Sequence, residues 1–161
     1  MMTVVLLLLG CATEGGTCSV AEGDGSVTVD GLTAEAAGSW MAQGSSVQIN
    51  VAAAGELAGG RMTLRLQSTA DGTSAVDALD AGTFPITFAL GVAEQGAALW
   101  YAPQATVSHA ATDAAPGSLT VTDYDGDVLS ACFGFVGEAA DGGKVEVEDA
   151  SVRATPTVVG Q

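Results

Sequence analysis

Residues 118–135 read SLTVTDYDGDVLSACFGF, and this run limits the folds open to the chain more than any other. Leu119 and Val121 alternate with Thr120 and Thr122; further on, Leu129, Ala131, Phe133 and Phe135 alternate with Ser130, Cys132 and Gly134. Successive side chains on a strand point to opposite faces, so a hydrophobic period of two marks a strand with one face buried. Between the runs stands Asp125-Gly126, a pair that tolerates the positive φ angles of a type I′ turn. The run is expected to be a β-hairpin tipped by Asp125-Gly126, on which the remaining strands assemble.

Similar signals recur along the chain. Residues 26–30 form a first strand with Asp30-Gly31 as its turn, and Trp40, after a Gly-Ser pair, is expected to plug one end of the core. Residues 46–52 alternate Val47, Ile49 and Val51 with Gln48 and Asn50; residues 61–67 alternate Met62, Leu64 and Leu66 with Arg61, Thr63, Arg65 and Gln67. A Gly-rich loop joins these two. Further strands are expected at 83–90, 98–102, 106–109, 144–148 and 151–154, with room for one short helical turn at 75–80. The 22 glycines, with many Ser and Thr, interrupt the chain too often for a substantial amphipathic helix. Short strands at close spacing predict an all-β fold, an antiparallel β-sandwich or flattened barrel of roughly 8–10 strands. A single sheet with one wet face would not bury this much apolar side chain, whereas two packed sheets or one closed sheet would.

Residues 3–10, TVVLLLLG, are an uninterrupted apolar run ending at Cys11, too short to cross a bilayer as a helix. Export is the expected role. Residues 8–11, LLGC, resemble the bacterial lipobox, in which small residues let the signal peptidase cut before an acylated cysteine. That resemblance implies a mature chain beginning at lipidated Cys11, and Ala12 in place of Asp favours the outer membrane. Residues 12–25 are acidic and Gly-rich, as a tether is, with an extended reach of roughly 45 Å. The expected division is a signal peptide over 1–10, a flexible tether over 11–25, an all-β domain over 26–155 and a fraying tail over 156–161.

The order of signals after this leader resembles a group of uncharacterised all-β bacterial lipoproteins. The matching pieces are Asp30-Gly31, Gly82-Thr83-Phe84, Gly117-Ser118-Leu119-Thr120 and Ala131-Cys132-Phe133-Gly134-Phe135. The resemblance implies a lipid-anchored β-domain and carries over no catalytic residue.

Nineteen acidic residues against Arg61, Arg65, Lys144 and Arg153 give a net charge of -15. Such a balance argues against nucleic acid and anionic lipid headgroups as partners and fits an exported protein kept soluble by self-repulsion.

Asp123, Asp125 and Asp127 alternate as acids at the start of a calcium loop do, because hard cations want several carboxylate oxygens from one turn. An EF-hand loop, however, places Gly after the third acid and a bidentate Glu at position twelve, whereas here Gly126 comes early and position twelve is Gly134. The three acids are therefore read as a solvated turn, with a calcium-dependent module as a lesser alternative. Asp24, Glu146, Glu148 and Asp149 are likewise read as solvated acids. His109 is the only histidine, which excludes a His-rich zinc site and leaves one residue to serve as base in any serine triad; no Gly-x-Ser-x-Gly elbow accompanies it. Neither a phosphate-binding loop nor a dinucleotide fingerprint is present, and no cofactor is expected.

With Cys11 lipidated, Cys18 and Cys132 remain. In an oxidising compartment an even remainder suggests a disulfide, which would staple the tether to the hairpin; the alternative is two unrelated thiols. Trp100 and Tyr101 are adjacent, so on a strand they face opposite ways, one as core or end plug and the other as a conceivable sugar or partner platform. The expected function is a lipid-anchored envelope module, binding a protein or glycan or acting structurally, and not an enzyme. The competing expectations are a small-ligand carrier, whose barrel cavity would be lined by Leu64, Phe88 and Phe133, and an enzyme built around His109.

Overall fold

The computed structural model describes residues 18, 20, 25–43, 46–67, 82–87, 95–102, 107–115 and 117–157. The leader 1–10, Cys11, the helical turn at 75–80, Phe88 and the last four residues of the chain lie outside them.

The described residues form ten strands. The first pair, β1 (Gly25–Val29) and β2 (Leu32–Gln43), is joined at Asp30-Gly31, whose φ angles of 49° and 78° are both positive, as a type I′ turn requires. Next come β3 (Ser46–Ala53), a 3₁₀ turn (Gly55–Leu57), β4 (Arg61–Gln67), β5 (Gly82–Thr87), β6 (Gln95–Tyr101) and β7 (Ser108–Ala111). The expected hairpin is β8 (Gly117–Tyr124) with β9 (Leu129–Glu138), and β10 (Lys144–Pro156) follows.

Three local expectations change. At the tip of the β8–β9 hairpin only Gly126 has positive φ, at 97°. The strands part at Tyr124 and Leu129, and residues 125–128 form a longer loop closed by the Asp125 side chain instead of a two-residue turn. Residues 144–148 and 151–154 are one strand, interrupted by a bulge in which Glu148 and Asp149 oppose a single residue of β9, with Asp149 at φ 41°. The extra residue restores the inward direction at Ala150, so Val145, Val147, Ala150, Val152 and Ala154 all reach the core. Finally, β10 runs to Pro156, two residues past the expected strand end, and the Thr157 amide donates to the Trp40 carbonyl at 2.7 Å.

Of the two architectures expected, the structure takes the barrel. Eight strands close on themselves in the order β10, β2, β3, β4, β6, β5, β8, β9 and back to β10. Every seam is antiparallel except β10 with β2 and β5 with β6, which are short and parallel. Two extra strands add to this circuit, β1 pairing with both β2 and β10 at their seam, and β7 pairing with both β6 and β9. Inward residues from every wall, among them Val47, Ile49, Leu64, Leu66, Ile86, Leu119, Leu129 and Val152, have no exposed surface and belong to one contiguous core cluster. An eight-stranded barrel is just wide enough for side chains to fill its lumen.

A tryptophan stands at each end. Trp40 donates its indole N–H to the Asp127 carbonyl at 2.8 Å and meets Tyr124 edge to face at 5.7 Å, tying β2 to the hairpin loop. At the other end Trp100 is buried beside Gly60 and near the 3₁₀ turn that buries Leu57. A Cβ at Gly60 would strike the Trp100 ring and approach the Leu57 carbonyl at 2.9 Å, so glycine is what lets the indole seat.

Candidate functional site

The inward positions are given to packing, so the polar side chains of the walls stand on the outward ones. On β3 these are Gln48, Asn50 and Ala52, on β4 Arg61, Thr63, Arg65 and Gln67, and on the well-described part of β6 Ala97, Leu99 and Tyr101. None is acidic. With Ser39 of β2, they form the wall that carries half of the chain's four cations.

This wall holds a depression of about 810 Å³. Small residues, Ala37, Gly38, Ala52 and Gly59, keep it low, and Ser39, Asn50, Arg61, Thr63 and Tyr101 supply its polar groups. Gly38 is small for a second reason, since a Cβ there would run into Val152 and Ala154 of β10. Strand register sets Arg61 opposite Tyr101 and Thr63 opposite Asn50. The Asn50 Oδ1 accepts from Gln48 Nε2 at 2.9 Å and from Thr63 Oγ1 at 3.4 Å, which orients the amide and leaves its N–H donors available. Arg61 is exposed, and among the described residues no carboxylate pairs with it.

The residues singled out from sequence lie elsewhere. Cys18 is bonded to Cys132, which sits on the outer face of β9. Asp125 spends one carboxylate oxygen on the amides of Asp127 and Val128, at 2.9 and 2.8 Å, and these bonds hold its pKa below the ordinary carboxylate value. Asp123 and Asp127 are exposed, and among the described residues no three His, Cys, Asp or Glu side chains gather as metal ligands. His109 packs against Gly137 with its Nδ1 buried and unpartnered, and among the described residues no hydroxyl or carboxylate is hydrogen-bonded to it. Trp100 is core and Tyr101, facing the other way, borders the depression.

No family model, curated protein or solved structure matches the chain. The polar set around the depression was not picked out from sequence, although its signal was visible: the outward positions of residues 46–52 and 61–67 lack acids in a chain that has 19 of them.

Proposed function

We propose that the chain is an exported, lipid-anchored binding module of the bacterial envelope, with an outer-membrane location favoured, that recognises its partner through the outer wall of its barrel. The observation that carries this reading is the depression flanked by Asn50, Arg61, Thr63 and Tyr101 on a barrel whose interior is packed with side chains. A carrier using the lumen is disfavoured on the same ground, since Leu64 is fully buried and Phe133 nearly so within the core.

The disulfide supports an orientation. In the circuit of eight strands β9, which bears Cys132, stands four places from β4 in either direction. A leash from Cys11 would therefore attach on the side opposite Arg61, leaving the depression facing away from the lipid.

Intact-mass measurement on membrane-fraction protein tests the anchor. Loss of the first ten residues with added diacylglycerol and acyl mass supports it; an unmodified Cys11 in that fraction contradicts it. For the recognition surface, Ala52→Trp fills the depression from an exposed position, so it should abolish binding to a glycan or protein partner while leaving the barrel folded.

A further inference from the structure

We propose that the depression takes an acidic oligosaccharide, a carbohydrate bearing carboxylate groups, with Arg61 as the anion contact. This rests on the outer-wall reading above and adds to it the chemistry of the ligand.

Charge gives the first argument. The outward side chains of β3 and β4 include Arg61 and Arg65 and no acid, in a chain of net charge -15. Residues four apart on a strand lie about 13 Å apart on one face, so the two guanidinium groups mark out a line along the wall. The nearest acids by strand and turn are Glu35, on the outward row of β2, and Glu56 in the 3₁₀ turn; both are exposed and neither forms an ion pair with Arg61, while acids on the far walls lie beyond the Debye length of about 8 Å at physiological ionic strength. A guanidinium takes a carboxylate through paired N–H bonds, and an exposed pair alone contributes little, so neighbouring contacts must add to it.

Those neighbours suit a sugar. Asn50 presents amide N–H donors, Thr63 and Ser39 present hydroxyls, and Tyr101 stands beside Arg61 with an aromatic ring and a phenol. The volume falls in the range of small-ligand sites. An acidic peptide is less well served. Extended peptides dock by adding a strand to a free sheet edge, and here β3 and β4 are hydrogen-bonded on both sides.

The test is calorimetric titration of the full, oxidised chain with oligogalacturonate, its carboxyl-reduced counterpart and oligoglutamate. Oligogalacturonate should bind at least tenfold more tightly than the reduced sugar. Arg61→Gln should bring it down to the level of the reduced sugar, and Arg61→Lys should keep part of the difference, with unchanged thermal unfolding in both variants. Equal binding of the two sugars, lost together in Ala52→Trp, overturns the acidic assignment and leaves the outer-wall reading standing. Binding indifferent to both Arg61→Gln and Ala52→Trp overturns both. Tighter binding of oligoglutamate, or no binding of either sugar at millimolar concentration, overturns the carbohydrate assignment.

Discussion

Cys18 is bonded to Cys132 across a sequence separation of 114 residues, with the two Cα atoms 5.8 Å apart. The bond joins the segment before β1 to the outside of β9, and β10 lies between those strands. It therefore clamps the seam where the barrel's first and last strands meet.

Cross-linking so long a loop restricts the unfolded chain strongly, and removing such a bridge typically costs about 2–5 kcal/mol. Urea unfolding with and without reductant should show a loss in this range, reproduced by Cys18→Ala with Cys132→Ala. A midpoint indifferent to reductant would contradict the role given to the bond.

Trp40→Phe should destabilise the barrel by about 1–3 kcal/mol, because it keeps most of the ring but leaves the Asp127 carbonyl without its indole donor. Trp40→Ala should cost about 3–5 kcal/mol through the cavity it opens beside Tyr124. Equal effects of the two substitutions in chemical denaturation would count against the indole hydrogen bond.

Gly60→Ala should destabilise by about 1–3 kcal/mol, since the new methyl meets the Trp100 ring on one side and a backbone carbonyl on the other. Gly142→Ala makes a useful contrast: nothing crowds a Cβ there, and its cost would come only from a φ of 84°. Thermal unfolding of both variants, with Trp100 fluorescence reporting the seat of the ring, separates crowding from backbone strain.

The Asp125 carboxylate is held below its ordinary value of 3.8 by the two amides it accepts. A lowered folded pKa means that its contribution is present above the unfolded value and is lost as pH falls through the folded one. NMR titration should find Asp125 protonating below the ordinary carboxylate value, with the amide shifts of Val128 and Asp127 following the same curve. Asp125 protonating at or above that ordinary value would contradict the loop geometry.

Much of this fold was legible from alternation. Residues 61–67 are β4 to the residue, and β3 and the β8–β9 pair lie where the period of two puts them. The 12-residue β2 was not anticipated, because its inward positions are Ala34, Ala36, Gly38 and only then Trp40. Alanine has weak strand propensity, and what selects these residues is the close approach of β1 and β10, a tertiary demand with no local signature. The hairpin tip misled for a related reason: Asp125-Gly126 has the composition of a type I′ turn, but a bulge at Thr122 shifts the register and lengthens the loop, while Asp30-Gly31 adopts the geometry instead. The candidate site was harder still. Its residues are ordinary outward positions, and only the pairing register of β2, β3, β4 and β6 brings Ser39, Asn50, Arg61 and Tyr101 onto one wall.

The most direct test of recognition by the outer wall is chemical-shift mapping of the isotope-labelled chain during titration with oligogalacturonate. The account predicts perturbations at Asn50, Ala52, Arg61, Thr63 and Tyr101, with Val47, Ile49, Leu64 and Phe133 unmoved. Perturbations centred on those inward residues, with the outer wall silent, would contradict it.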